Sequence, residues 1–264
     1  MLAVFAAAPV LAAERSIIVQ STTSTANSGL YDHILPLFKS RTGIRVHIVA
    51  VGTGQAIKNA RNGDGDVLLV HARAAEEKFV ADGFGVRRFD LMYNDFVIVG
   101  PPSDPAKLGH MRRGAAAFAR IAHARVPFAS RGDNSGTHKK EHALWRQAGI
   151  DPAGASGGWY RETGSGMGAT LNVAVGMGAY TLTDRATWIS FGNRRNFKIM
   201  VEGGPSLLNQ YGVMLVNPKA HPRVKAKEGQ AFIDWLLSPE GQVAIGGYRL
   251  RGKQLFFPNA SSRR

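Results

Sequence analysis

The 264-residue sequence has no cysteine, so it can form neither disulfide bonds nor thiolate metal sites. It also has few acidic residues: 19 Asp and Glu stand against 33 Lys and Arg, which gives a formal net charge of +14. Apart from residues 1–13, no stretch is long and apolar, and those residues are too few to span a bilayer as a helix. We therefore expect a mature protein that is soluble and folds without covalent cross-links.

A strongly basic chain is typical of nucleic-acid-binding proteins. Here the basic residues are spread along the chain, and no zinc finger, RNP-type aromatic run or long basic helix accompanies them. We therefore expect no nucleic-acid partner. The positive field favours anionic solutes or an anionic partner instead.

Residues 1–13 are almost wholly apolar and end in small residues before Glu14. This pattern is typical of the apolar part of a signal peptide, with a cleavage site near Ala12 or Ala13. The basic residues that normally precede it are missing, so we interpret the segment as a truncated signal peptide. The alternative is a buried N-terminal strand or helix. A signal peptide predicts an exported, periplasmic protein.

From residue 16 to residue 83, apolar runs alternate with helical patterns in the order β-α-β-α-β-α, interrupted by Pro36, where we expect a kink or break. This order predicts a mostly parallel sheet. The apolar run at residues 89–100 predicts a strand that leaves this first lobe, and residues 210–217 predict the returning strand. We therefore predict an α/β protein whose lobe I comprises residues 14–98 and 206–264, and whose lobe II comprises residues 99–205.

Three short polar runs follow or flank predicted strands and precede predicted helices: residues 21–25, 52–54 and 130–137. Ligands of open α/β sheets collect at the carboxyl ends of the strands. Helix N-termini there present unpaired N–H groups that suit anions. The runs supply many donors but no convincing nucleophile–base pair. They therefore predict an oxyanion-binding site rather than a catalytic one.

Arg131 is the sharpest candidate in these runs, since a guanidinium offers a planar fork of donors and never loses its proton. The alternative is a salt bridge from Arg131 to Asp133. His71, at the end of a predicted strand, has no second ligand at metal spacing, so we favour a hydrogen-bonded strand-end histidine over a metal ligand. Asp184 and Arg185 are predicted to form an internal ion pair.

The order of several motifs resembles the periplasmic tungstate-binding proteins of bacterial and archaeal ABC importers. The resemblance runs from about Ser16 to Pro258, nearly the entire mature chain. Its strongest elements are residues 22–25, 49–56, 66–72, 93–100, 130–141 and 180–185.

The resemblance implies the type II periplasmic-binding-protein fold, with mixed sheets, helices on both faces and a ligand cleft between two lobes. It also implies that Thr22, Thr53, Arg131 and Thr137 hold a tetrahedral oxyanion, with Ser24 and Ser135 close by. The full set of candidate ligand-binding residues is Thr22, Thr23, Ser24, Thr53, Ser130, Arg131, Ser135, Gly136, Thr137 and Met167.

The expected function is that of an extracytoplasmic receptor, a monomer that captures tungstate, or also molybdate, and delivers it to an ABC permease. No catalytic residue, metal site or cofactor is expected. The alternatives are a receptor for another oxyanion, such as molybdate or sulphate, and an enzyme acting on a phosphate or sulphate ester. For such an enzyme His138, beside Ser135 and Thr137, is the candidate base. Tungstate and molybdate have the same charge and nearly the same size, so the preference between them rests on the resemblance alone.

Overall fold

A computed structural model describes residues 15–109, 111–133 and 135–260. The segment interpreted as a signal peptide, residues 1–13, lies outside these described residues. The strands are β1 Ser16–Thr22, β2 Arg45–Val51, β3 Val67–Val70, β4 Gly85–Gly100, β5 Phe128–Ser130, β6 Tyr160–Glu162, β7 Thr181–Asp184, β8 Lys198–Val201, β9 Leu208–Val216, β10 Arg249–Leu250, β11 Lys253–Gln254 and β12 Phe257–Pro258. The helices are α1 Thr23–Asn27, α2 Leu30–Thr42, α3 Thr53–Arg61, α4 Arg73–Ala81, α5 Gly114–Ala124, α6 Gly136–Gln147, α7 Met167–Met177, α8 Arg185–Ser190, α9 Ala226–Leu237 and α10 Pro239–Gly247.

The main sheet has the strand order β12-β4-β9-β3-β1-β2. β1 lies between β2 and β3 and pairs parallel to both. Helices connect β1 to β2 and β2 to β3. The remaining pairs are antiparallel: β9 pairs with β3 and β4, and β12 pairs with β4. The expectation of a parallel sheet is therefore confirmed for β1–β3, while the sheet as a whole is mixed.

β4 is the longest strand and runs through both halves of the molecule. From Gly85 to Asp95 it pairs with β9, and from Phe96 onward it pairs with β7 and β8. β9 begins opposite Asp95, at Leu208. The chain therefore crosses between the two halves near residues 95 and 208, while the boundaries predicted at 98/99 and 205/206 lie within β4 and a few residues before β9.

Two separate groups of buried side chains lie on either side of this crossing. The first packs around the sheet formed by β1–β3 and β9 and includes Ile17, Phe38 and Phe232. The second includes Phe128 and Trp145, with edge-to-face packing at 5.3 Å between ring centroids. Apolar burial thus drives each half to close around its own core.

Helix α8 packs against the first core through Ala186 and Ile189, although its sequence lies within residues 99–205. The predicted ion pair between Asp184 and Arg185 is wrong. Arg185 instead donates two hydrogen bonds to Asp95 of β4, at 2.7 and 2.5 Å. Asp184 caps α8 by accepting hydrogen bonds from the amide and hydroxyl of Thr187.

Helix α2 remains helical through Pro36 and ends at Gly43, whose φ of 71° is left-handed and favours glycine. Within the described residues, no helix is both long and apolar enough to cross a membrane.

Candidate functional site

A cavity of about 590 Å³ lies between the two lobes, at the carboxyl ends of β1 and β2 and at the first turns of α3 and α6. It is lined by Thr22, Thr23, Ser24, Val51, Gly52, Thr53, Gly54, Gln55, Lys58, His71, Arg131, Asp133, Ser135, Gly136 and Thr137. All three polar runs singled out from the sequence therefore reach one cavity. The first two runs meet because the parallel strands β1 and β2 end at the same edge of the main sheet. The third run follows β5, which pairs with β6 in a separate sheet, and reaches the cavity from the other lobe.

The junction of β1 and α1 supplies hydroxyl groups from lobe I. Thr22 is the last residue of β1 and caps α1, accepting a hydrogen bond from the Thr25 amide at 3.3 Å. Its side chain is buried, Ser24 is half-buried and Thr23 is exposed. Hydroxyl side chains are typical of helix caps because they satisfy free amides. Here they also line the cavity.

Helices α3 and α6 begin at the cavity from opposite lobes. Thr53 is the first residue of α3, and Ser135 caps α6, its hydroxyl accepting a hydrogen bond from the His138 amide at 3.2 Å. Thr53 and Thr137 are only 2% and 4% exposed, so bulk water competes little for their hydroxyls. The first turn of each helix carries unpaired N–H groups and a partial positive charge.

Gly136 lies close against lobe I at the N-terminus of α6. A Cβ atom added there would lie 2.9 Å from Cε1 of His71 and 3.2 Å from Oγ1 of Thr53, both of which belong to lobe I. Real Cβ atoms do not come so close to other atoms. Glycine is therefore required for the α6 N-terminus to lie against lobe I across the cavity.

Arg131 forms an ion pair with Asp133 in the loop after β5, so the salt bridge considered from the sequence is present. Asp133 also accepts a hydrogen bond from the Ser135 amide at 3.2 Å. Burial raises the pKa of Asp133, but hydrogen bonds from Ser135 and Arg131 outweigh it and hold the pKa below its ordinary value. The carboxylate is therefore ionised, and both of its oxygens have a partner.

The ion pair leaves part of the guanidinium unused. Nε of Arg131 is buried and has no hydrogen-bond partner among the described residues. A buried donor without a partner costs roughly 1–3 kcal/mol, and Arg131 is one of the residues that line the cavity. With Lys58 at the exposed rim, two cations and one carboxylate line the cavity, so its charge favours an anion.

A family model for a PBP superfamily domain matches residues 7–240. The chain belongs to the PBP superfamily. It is 47% identical over 253 residues to the tungstate-binding protein TupA of Peptoclostridium acidaminophilum, covering 94% of this chain and 87% of that protein.

Two solved structures are also similar. The tungstate-binding protein TupA from Desulfovibrio alaskensis G20 is 48% identical, with a TM-score of 0.86 over 94% of this chain and all of that one. The tungstate ABC transporter structure from Geobacter sulfurreducens is 47% identical, with a TM-score of 0.80 over 90% of this chain and all of that one. The predicted two-lobed type II fold and the family resemblance are confirmed.

His71 is a cavity residue that sequence reasoning missed in this PBP-superfamily protein. Its Nε2 lies 3.3 Å from both Thr22 Oγ1 and Ser24 Oγ, and its Nδ1 lies 3.1 Å from Asn209 Oδ1. Burial lowers the pKa of His71 to about 4, so the ring is neutral at pH 7. A usable signal was its position after β3, which lies beside β1 and ends at the same edge. Within residues 15–109, 111–133 and 135–260, no group of three or more His, Cys, Asp or Glu side chains could hold a metal.

Ser130 and Met167 lie outside the cavity lining, unlike the eight other candidate residues. The Ser130 hydroxyl is fully buried and donates to Glu141 Oε2 at 2.9 Å, so it faces the core of lobe II. Met167 begins α7 and packs with Val97 and Trp188. Ser130 is thus buried in the lobe II core like the rest of β5, and Met167 belongs to the apolar face of α7.

Glu141 stabilises the loop that carries Arg131 from the side of the lobe II core. Its Oε1 accepts hydrogen bonds from Tyr160 at 2.7 Å and from Trp145 at 3.2 Å, while Oε2 accepts from Ser130. Burial raises the pKa of Glu141 to about 7, against the opposing effect of these hydrogen bonds. The carboxyl thus ties the end of β5 to α6 and fixes the position of the cavity loop.

His138, the candidate base of the enzymatic alternative, does not line the cavity. Its Nε2 lies 2.7 Å from Nε2 of His142, one helical turn further along α6. Burial and the neighbouring charge of His142 lower the pKa of His138. The imidazole is therefore turned along the helix, away from the hydroxyls of Ser135 and Thr137 that it would need to activate.

Proposed function

We propose that this protein is the extracytoplasmic receptor of an ABC importer, that it binds tungstate or molybdate, and that it delivers the anion to a permease. The observation that carries the proposal is the cavity itself. Arg131 lines it and keeps a buried Nε donor that has no partner among the described residues, and hydroxyls from both lobes line it as well. The similarity to two proteins named as tungstate-binding, at 47% and 48% identity, supports tungstate as the anion.

In this proposal Arg131 supplies the fixed positive charge, and Thr22, Thr53 and Thr137 supply directional hydroxyl donors. Backbone amides near Ser24 and at the start of α6 complete the cage. A hydrogen bond to a charged group contributes roughly 1.5–3 kcal/mol. Several such bonds, less the costs of desolvation and lobe closure, give affinities in the nanomolar range.

Capture and delivery follow from the two crossings. Because β4 and β9 connect the lobes near residues 95 and 208, the lobes can rotate about these strands while α8 stays packed against the first core. An anion held by groups from both lobes stabilises the closed arrangement. The closed monomer is then the form that a membrane permease recognises, and no cofactor takes part.

The selectivity of the cage follows from its hydrogen-bonding groups. Phosphate near neutral pH retains a proton, which needs an acceptor inside the cavity. The carboxylate of Asp133 already accepts from Arg131 and from Ser135. A buried donor without a partner costs roughly 1–3 kcal/mol, a cost that a fully deprotonated dianion avoids. Sulphate carries no proton but is smaller, so it leaves several contacts stretched.

Competition titrations by calorimetry at pH 7 test this proposal. We expect tungstate and molybdate to bind far more tightly than sulphate, and phosphate to bind most weakly of the four. A shared buffer without phosphate serves as the reference for all four titrations. Tight phosphate binding would overturn the cage as described, and binding of none of the four anions would overturn the oxyanion receptor.

A further inference from the structure

Six side chains form a continuous series of hydrogen bonds behind the cavity, from Tyr211 to Thr25. Nδ1 of His71 lies 3.1 Å from Asn209 Oδ1, and Asn209 Nδ2 donates to Asn94 Oδ1 at 2.8 Å. Asn94 Nδ2 donates to the Tyr211 hydroxyl at 3.2 Å. Two threonines extend this series beyond His71: Thr22 Oγ1 lies 3.3 Å from His71 Nε2 and 2.7 Å from Thr25 Oγ1.

The amide of Asn209 fixes which nitrogen of His71 carries the proton. Since Asn209 uses its N–H to reach Asn94, its carbonyl oxygen faces His71, and Nδ1 of His71 must donate. Nε2 of the neutral ring is then an acceptor with a single lone pair. The hydrogen bonds from His71 to Asn209, from Asn209 to Asn94 and from Asn94 to Tyr211 therefore run in one direction, an arrangement in which the bonds strengthen one another.

Two hydroxyls compete for that single lone pair. Thr22 Oγ1 and Ser24 Oγ both lie 3.3 Å from Nε2, and they lie 3.1 Å from each other. Only one of them can donate to His71 at a time. The proton of the other hydroxyl remains available to the cavity that both residues line.

This series of hydrogen-bonded side chains also reaches the strands that cross between the lobes. Asn94 of β4 and Asn209 of β9 are paired residues in the sheet, one position before β4 leaves β9 at Asp95. Both are buried, at 3% and 6% exposure, and Tyr211 packs on the His71 ring with centroids 4.8 Å apart. A movement of the Thr22 and Ser24 hydroxyls can therefore be transmitted to the crossing strands, because the side chains between them are buried and hydrogen-bonded.

We propose that His71 is a positioning residue of the anion site. Its Nε2 accepts one hydroxyl proton of the Thr22–Ser24 pair and so directs the other at the bound anion, while its Nδ1–H ties these hydroxyls to the crossing strands through Asn209. This inference rests on the proposed function, because it assigns His71 a role toward the oxyanion of that same cavity.

Two substitutions separate the two nitrogens. In His71→Asn the side-chain amide can replace the Nδ1 donor to Asn209, but nothing replaces Nε2. In His71→Gln the longer amide can offer an acceptor near the Nε2 position, but the bond to Asn209 is lost. Asn209→Leu breaks that same bond from the other side, and His33→Asn, at an exposed position on α2, is the matched control.

Tungstate affinity is measured by calorimetry, and lobe closure by the distance between two labels. The absence of native cysteine allows labelling at Lys227→Cys on α9 and Gln147→Cys on α6, both exposed. We expect His71→Asn to lose about tenfold to a hundredfold in affinity, the value of one hydrogen bond that acts on a charged ligand, yet to close fully at saturation. We expect His71→Gln and Asn209→Leu to bind within about tenfold of wild type but to show a smaller distance change at saturation.

Wild-type affinity in His71→Asn would overturn the positioning role, and a wild-type distance change in both His71→Gln and Asn209→Leu would overturn the link to the crossing strands. Thermal unfolding without anion identifies any variant that has merely lost its fold. If the wild-type protein itself binds no anion, the proposed function fails, which is distinguishable from failure of this inference alone.

Discussion

Replacing Arg131 with alanine is expected to weaken tungstate binding at least about a thousandfold, or ~4 kcal/mol, as measured by calorimetry. The substitution removes the buried Nε donor that has no partner among the described residues. It also leaves the carboxylate of Asp133, which lines the same cavity, without its cation. The anion loses the attraction of Arg131 and is repelled by the unpaired Asp133 carboxylate. We therefore expect a larger loss of affinity than removal of any single hydroxyl in the cavity would cause.

Arg161→Ala is the matched control for Arg131→Ala, because it removes the same charge from an exposed position on the neighbouring strand β6. We expect it to change affinity only slightly, through the long-range field. Arg131→Lys should restore part of the loss, since an ammonium keeps the charge but not the planar fork. Unchanged tungstate affinity in Arg131→Ala, with a normal unfolding transition, would remove Arg131 from the site.

Saturating tungstate is expected to raise the melting temperature of the wild-type protein by about 8–16 °C at a thousandfold excess over Kd. A ligand that binds only the folded state stabilises it by RT ln(1 + [L]/Kd), about 4 kcal/mol at that excess. For a chain of this size each kcal/mol shifts the midpoint by roughly 2–4 °C. Differential scanning fluorimetry with and without tungstate provides the measurement.

The same thermal experiment carries its own controls. Phosphate at equal concentration should shift the midpoint far less, because it is the weakest of the four anions in our proposal. Arg131→Ala should lose most of the tungstate-dependent shift while keeping nearly the wild-type midpoint without anion. An equal shift with phosphate and tungstate would instead indicate a general salt effect on this basic chain.

Much of the site could be predicted from the sequence because its members sit at element boundaries. Hydroxyl and glycine residues that follow an apolar run mark the carboxyl end of a strand, and the edge of a sheet gathers such ends in one place. The three polar runs were found in this way, and the family resemblance then indicated Thr22, Thr53, Arg131 and Thr137 within them; all four line the cavity. The first lobe crossing was visible because the apolar run at residues 89–100 is long and ends at two prolines, and the apolar run at residues 210–217 was interpreted as the returning strand.

The parts that the sequence did not reveal depend on partners far apart in the chain. His71 bonds to Asn209, 138 residues away, and Arg185 bonds to Asp95, 90 residues away. Ser130 was expected in the site because it precedes Arg131. Its direction is instead decided by Glu141 and Tyr160, which attract its hydroxyl into the core. Spacing along the chain carries no information about such contacts.

The most direct test of the account is a crystal structure of the protein with tungstate, phased or checked by the anomalous scattering of tungsten. We expect a single strong anomalous peak in the cavity between the lobes, with oxygens within hydrogen-bonding distance of Arg131 and of the hydroxyls of Thr22, Thr53 and Thr137. A tungsten peak at another place on the basic surface, with this cavity holding only water, would contradict it.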